Sequence, residues 1–321
     1  MLKVGIFGTG RMAEMHANSL KQINNAELWS VGSHGIERAK EFAKKHIASA
    51  KENAFDDLSA MLSDPELDAV IIATLSALHA EHILLSAKAG KSIFVEKPVC
   101  TSLEFESELI ASSQQNEITI AVGYNLRWHK GLRKIAEKAY LGELGEIQHM
   151  RVHWAVDLFG HKWNFRPQQG PWLCSTVLGT HLIDMVKWIM VPTCGNIIGV
   201  KSYIKKIPSE KEFDGALSLM MEFESGATVE IFCSILFDSP FKLEIYSDKK
   251  HLIGSDLMNQ SQPGSILINN QPLYYELSNQ YIDELNNFVE CIIKKTEPEV
   301  SLREGLNNVG HLVSIWDQNS Q

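Results

Sequence analysis

Residues 2–13 read Leu2-Lys3-Val4-Gly5-Ile6-Phe7-Gly8-Thr9-Gly10-Arg11-Met12-Ala13. The short apolar run through Phe7 predicts a β-strand, and the glycine turn behind it opens a helix that runs to about Lys21. Gly8 permits the tight turn, Gly10 lets a phosphate approach the backbone, and Ala13 is small enough for helix and strand to pack closely. The N-terminus of the helix adds free N–H groups and a partial positive charge, so the arrangement suits a pyrophosphate. A glycine turn by itself is a weak signal. Its place between a strand and a helix is what points to a dinucleotide.

Downstream segments extend the pattern. Glu27–Gly32 predicts a second strand, Glu37–Lys45 a helix with Ala39, Phe42 and Ala43 on one face, and Leu58–Leu62 a short helix ended by Asp64-Pro65. Asp68–Thr74 is almost continuously apolar, as a strand covered on both faces by helices must be. Leu78–Ala89 predicts a helix stopped by Gly90, Ser92–Val95 a strand leading into Glu96-Lys97-Pro98, Thr101–Gln115 another helix and Ile118–Val122 another strand. This alternation predicts an α/β fold with a doubly wound parallel sheet, a Rossmann domain over residues 1–122. Ligands of such a sheet collect at the carboxyl ends of its strands, here near Gly8, Ser33, Thr74, Glu96 and Gly123.

After Gly123 the texture changes. Leu132–Leu141 predicts a helix closed by Gly142, and Glu146–Trp154 alternates like a strand. Gly215–Phe223 and Thr228–Leu236 flank the turn Glu224-Ser225-Gly226, a hairpin signal, with further strands at Phe241–Tyr246 and Leu252–Ile253. Helices return at Gln280–Lys294 and Arg303–Trp316. Grouped strands predict a second, α+β domain over residues 123–321, built on a large open sheet, mainly antiparallel, that serves substrate binding and oligomerisation. An open sheet has a second face to hide, so a homodimer or homotetramer through that face is expected.

A chain of 321 residues that is 45% hydrophobic can bury cores for two domains. The formal charge of −9 disfavours nucleic acid as a partner. No apolar run reaches membrane-spanning length and the first strand starts at Leu2, so a cytoplasmic protein with no membrane partner is expected. Cys100, Cys174, Cys194, Cys233 and Cys291 are odd in number and scattered, which favours free thiols over disulfides or zinc.

Several short motifs carry a family resemblance. They are the opening Gly8-Thr9-Gly10-Arg11-Met12-Ala13, Ala73-Thr74 followed by Leu78-His79-Ala80-Glu81, and Ala89-Gly90-Lys91 leading into Glu96-Lys97-Pro98. Val122-Gly123-Tyr124-Asn125-Leu126-Arg127, Gly142-Glu143-Leu144-Gly145-Glu146-Ile147 and Gly179-Thr180-His181-Leu182-Ile183-Asp184 follow in order. With these, the chain resembles the Gfo/Idh/MocA oxidoreductases nearly end to end. The resemblance implies hydride transfer between NAD or NADP and a secondary hydroxyl or carbonyl of a sugar, polyol or nucleotide sugar. The cofactor contacts expected on this basis are Gly8, Thr9, Gly10, Arg11, Met12, Ser33, His34, Arg38, Thr74, His79, Glu96, Lys97 and Asn125.

Oxidation of a carbinol needs a base for the hydroxyl proton and a cation or donor for the developing alkoxide. Lys97, just past a strand end and before a proline, is expected to hold the alkoxide; the alternative is a lysine in a surface loop. The resemblance gives His181 the proton-accepting or substrate-orienting role, with Asp184 about one helical turn on. Family dehydrogenases usually carry an aspartate four residues before that histidine, and here the position is Val177. Lys97 and His181 suffice alone, Thr176 or Asp184 substitutes, or the chain is a catalytically impaired sensor that binds dinucleotide and sugar.

Val31-Gly32-Ser33-His34 places no carboxylate at the end of the second strand, where one normally meets the ribose 2′-hydroxyl of NAD. Ser33, with Arg38 or Arg11, suits a 2′-phosphate instead, so NADP is weakly preferred over NAD. Trp154, Phe159, Trp163, Phe165, Trp172 and Trp188 crowd with His153, His161, Arg166 and His181, a mixture that suits a hydroxylated ring. Aromatic side chains are mostly core, and only one or two of these are expected to meet substrate. The substrate contacts expected are Lys97, Arg127, Trp163, Arg166, Thr176, His181 and Asp184. The histidine spacing carries no metal pattern.

Overall fold

The computed structural model describes residues 1–115, 118–160, 172–207, 213–258 and 262–319. The chain divides into two compact units, one of residues 1–125 with 279–310, the other of residues 126–278 with 311–321.

In the first unit, β1 (Leu2–Phe7), β2 (Ala26–Gly32), β3 (Ala54–Phe55), β4 (Ala69–Ile72), β5 (Ser92–Glu96) and β6 (Ile120–Gly123) form one parallel sheet in the order β3-β2-β1-β4-β5-β6. The order reverses between β1 and β4, which opens a crevice beyond their carboxyl ends. The connecting helices are α1 (Arg11–Leu20), α2 (Ile36–His46), α3 (Leu58–Leu62), α4 (His79–Lys88) and α5 (Glu106–Gln115). On α1 the buried positions Ala13, His16, Ala17 and Leu20 recur at helical spacing and join Val4 and Ile6 of β1 in the core. Helix α5 starts five residues later than predicted. Thr101–Phe105 form turns, with Leu103 accepting the Glu106 N–H, in keeping with the preference of Thr and Ser for local hydrogen bonding.

The second unit contains α6 (Lys130–Tyr140), β7 (Ile147–Ala155), a π-helical turn (Ser175–Gly179) running into α7 (Thr180–Cys194), β8 (Ile197–Ile207), β9 (Phe213–Phe223), β10 (Thr228–Ser234), β11 (Ser239–Ser247), β12 (His251–Ser255), β13 (Ser265–Ile268) and β14 (Gln271–Pro272). The sheet order is β14-β13-β12-β11-β7-β10-β9-β8, antiparallel except for the β7–β10 pair. Leu217, Leu219, Val229, Ile231, Val152, Leu243 and Ile245 bury its inner side. Register places Met220, Glu230, Arg151 and Glu244 in one row on the opposite side, and Tyr203, Ser218, Phe232 and His153 in the next.

One boundary differs from the sequence expectation. α8 (Gln280–Lys294), capped by the Asn279 side chain, belongs to the first unit, as does the first half of α9 (Leu302–Asn319). Leu285, Phe288 and Val289 are buried in the same cluster as Val4, Ala17 and Phe94, and burying a side chain the size of Phe288 stabilises by about 2–3 kcal/mol. The apolar face of α8 finds its partner among residues far behind it in sequence, so the division at residue 122 does not hold for the C-terminal helices. All five cysteines are free and buried. Among the described residues no helix is long and apolar enough to cross a membrane, and no cluster of His, Cys, Asp and Glu is arranged to hold a metal ion.

Candidate functional site

The β1–α1 turn carries two glycines with different duties. Gly8 has φ +124°, and a Cβ there would stand 2.3 Å from the Ala73 carbonyl oxygen, so the turn closes against the end of β4 only without a side chain. Gly10, at the N-terminus of α1, has an ordinary backbone, and a Cβ there would meet nothing within 4 Å. No side chain caps α1, which leaves its first N–H groups directed at this open space. A cradle of that kind fits a pyrophosphate.

Ser33, buried at the end of β2, shares a 3.3 Å hydrogen bond with Thr9. The Arg38 guanidinium lies over the backbone just after Ser33, its Nε 3.3 Å from where a Cβ of Gly35 would be. Arg11, His34 and Arg38 are exposed and Met12 is half-buried. His34 stands edge-on to Phe7 at 5.7 Å, next to His82. His82 shares a 3.0 Å hydrogen bond with Thr74, and burial, with the neighbouring His79 and His34, pushes its pKa down to about 4.

Beyond β5 the chain reaches Lys97 through a buried Glu96. Burial pulls the half-buried Lys97 ammonium down to about 8 against the charge of Glu96. Two expected cofactor residues are engaged elsewhere. Glu96 Oε1 lies 2.7 Å from His16 Nε2, and its Oε2 accepts the Lys97 backbone N–H at 3.2 Å. His79 faces backbone with both ring nitrogens, Nδ1 at 2.8 Å from the Pro98 oxygen and Nε2 at 3.3 Å from the Thr74 oxygen. Burial lowers the His79 pKa, and the ring sits between the turn after β4 and the turn that carries Lys97. Asn125 is buried at the head of a short 3-10 turn.

In the second unit, Asp214 on β9 sets the backbone that precedes α7. Its carboxylate accepts the N–H groups of Leu173 and Ser175, the latter at 2.7 Å, and the Ser175 hydroxyl at 2.5 Å. Burial raises the Asp214 pKa despite these donors. Cys174 and Cys233 lie 3.6 Å apart at sulfur beside it. Thr176 donates back to the Trp172 oxygen at 2.7 Å, and Val177 occupies the π-helical turn one turn before His181. His181 is buried near the start of α7, its ring 6.4 Å from that of Trp154.

Arg127 and Asp184 are used on each other. Nε and Nη2 of Arg127 reach the two carboxylate oxygens of Asp184 at 2.8 and 2.7 Å, a buried bidentate pair. Sequence placed both against substrate; the fold joins them because α7 presents Asp184 to the turn after β6. Trp163, Arg166, His161 and Phe165 lie outside the described residues.

Two family models cover most of the chain: the oxidoreductase family with an NAD-binding Rossmann fold over residues 2–124, and the GFO/IDH/MocA C-terminal domain over residues 132–253. The chain belongs to the GFO/IDH/MocA oxidoreductase family. This GFO/IDH/MocA protein is 24% identical over 317 residues to the myo-inositol 2-dehydrogenase of Thermotoga maritima, covering 95% of this chain and 92% of the relative. Its fold matches the aldose-aldose oxidoreductase of Caulobacter crescentus, solved with glycerol, at a TM-score of 0.86 and 17% identity, covering 99% and 97% of the two chains. It matches an NAD binding oxidoreductase from Klebsiella pneumoniae at 0.86 and 18%, covering 99% and 96%.

Sequence reading did not single out His16, Asp214, Tyr281 or Glu284. The signal for His16 was its phase with Ala13, Ala17 and Leu20, which puts an imidazole on the buried side of α1. Asp214 and Glu284 announce themselves as acids at buried positions of apolar elements, which oblige a partner or a proton.

Proposed function

We propose that this oxidoreductase is an NAD(P)-dependent dehydrogenase or reductase that converts a secondary hydroxyl of a sugar or polyol to the carbonyl, or the reverse. The observation that carries the reading is Lys97, a half-buried ammonium at the carboxyl end of β5 whose pKa stands near 8. When bound, the nicotinamide coenzyme supplies the hydride acceptor or donor. Gly8, Thr9, Gly10 and the N-terminus of α1 would hold its pyrophosphate, and Ser33 with Arg38 its ribose. The absence of a carboxylate at the end of β2, together with the Arg38 guanidinium over Gly35, favours a 2′-phosphate and hence NADP.

Two side chains carry the proton chemistry in this reading. Lys97 Nζ stabilises negative charge on the reacting oxygen as the carbonyl and alkoxide interconvert, and the His181 imidazole takes the hydroxyl proton or returns it. The names of relatives such as the myo-inositol 2-dehydrogenase support a polyol or sugar as substrate. The outer side of the second unit's sheet, with Tyr203 78% and Met220 46% exposed, supports a homo-oligomer through that face.

Absorbance of the reduced nicotinamide, followed with a panel of sugars, polyols and nucleotide sugars, tests the reading. Lys97→Ala is expected to lower turnover by about 100-fold or more while dinucleotide affinity, by calorimetry, stays within a few-fold. Unchanged turnover in that variant defeats the assignment. Arg38→Ala is expected to weaken NADPH by about tenfold and leave NADH nearly unaffected. Equal losses for both coenzymes would remove the preference for NADP.

A further inference from the structure

Under β5 of the first unit lies a buried cluster that the chemistry above leaves without a task. His16 of α1 is fully buried, Glu96 is 6% exposed and Glu284 of α8 is 4% exposed. His16 Nε2 meets Glu96 Oε1 at 2.7 Å, while Oε2 takes the backbone N–H of Lys97. The ring of Phe94 stands edge-on to His16 at 5.0 Å and that of Tyr281 at 6.3 Å. Among the described residues, neither carboxyl oxygen of Glu284 has a hydrogen-bond partner.

A buried, hydrogen-bonded polar pair is seldom more stable than apolar packing of the same volume, so folding alone gives little reason for His16 and Glu96 to be here. We propose that Glu96, held as a carboxylate by His16, is the counter-charge that keeps Lys97 an ammonium, and that both are positioning residues for it. The proposal rests on the reading of Lys97 as the group that meets substrate. Among the described residues, the titratable groups facing Glu96 fit this division of labour. Burial works to raise the Glu96 carboxyl, but the hydrogen bond and charge of His16, then Lys97 and His79, bring it below its ordinary value. Across from it on α8, burial and then the Glu96 charge push Glu284 well up, so Glu284 keeps its proton; the Tyr281 phenol is raised by burial and then by the Glu96 charge, against the pull of Arg11. Of the two acids only Glu96 is therefore charged, and it is the one that adjoins Lys97.

The test reads the Lys97 amine directly, without turnover. The full-length protein is acetylated with a trace of acetic anhydride across a pH series, and modification of the Lys97 peptide is followed by mass spectrometry. The midpoint is expected near 8 in the parent. Glu96→Gln should lower it by about one pH unit or more, and His16→Phe should lower it too, because Glu96 without its partner takes up a proton. Glu284→Gln, which exchanges one neutral group for another, should leave it in place. An unmoved midpoint in folded Glu96→Gln, or in folded His16→Phe if the first variant does not fold, overturns the proposal, as does an equal shift in Glu284→Gln. If Lys97→Ala turns over normally, the catalytic reading of Lys97 falls while the midpoint shifts still stand; a dead Lys97→Ala with unmoved midpoints sinks only the counter-charge.

Discussion

Lys97 ties the chemistry to a pH window. The ammonium is the form present below its pKa, so turnover that relies on it should fall as pH rises through about 8. A steady-state pH profile checks this, and a plateau through pH 10 would separate turnover from the lysine charge. Asp184 makes the opposite kind of prediction, because both its carboxylate oxygens meet Arg127. Asp184→Ala removes the bidentate partner of a buried guanidinium and should cost about 3–5 kcal/mol in denaturant unfolding. A substrate ligand at that position would instead raise KM and leave stability alone. The place of Lys97 just past β5 was legible because an apolar run stops there against a proline. The partnership of Arg127 with Asp184 was not, since 57 residues separate them and either side chain alone reads as well for substrate as for an ion pair.

The β1–α1 turn separates folding from binding within three residues. Gly8→Ala places a Cβ 2.3 Å from the Ala73 oxygen in a left-handed backbone, and should lower stability by about 1–3 kcal/mol as well as weaken dinucleotide binding. At Gly10 the backbone suits any residue and the added Cβ meets only open space. Gly10→Ala should therefore keep the melting temperature nearly unchanged and still weaken the dinucleotide by about tenfold, read by calorimetry. Two variants that lose equal stability would contradict this division. Among the elements, α8 was predicted residue for residue, since its apolar spacing and flanks are unambiguous. Strand β8 was not predicted: it is an edge strand with alternate residues exposed, and Lys201, Lys205 and Lys206 break up its apolar signal. The parallel pairing of β7 with β10 is a matter of partner choice, on which strand propensity is silent.

At the level of the whole chain, the proposed homo-oligomer turns on the outer side of the eight-stranded sheet. Met220 stands in register with Lys201 and Glu230, and Tyr203 with Ser218, so apolar side chains sit among charges of both signs, including the Arg151–Glu230 pair. A self-complementary contact suits such a surface. Tyr203→Lys combined with Met220→Lys should shift the mass measured by light scattering towards that of one chain, and an unchanged mass would place the contact elsewhere. The division into a parallel and a largely antiparallel sheet could be read from the way helices alternate with strands and then give way to them. Which unit claims α8 could not, because an amphipathic face specifies that it must be covered and leaves open by what.

That allegiance has a temporal side. Synthesis runs from the N-terminal side, yet the core around Val4 and Phe94 waits for Leu285, Phe288 and Val289, so the sheet is closed by a helix made well after its last strand. A ribosome-held nascent chain halted before Asn279 should remain protease-sensitive in its opening hundred or so residues, and only read-through past Lys294 should harden them.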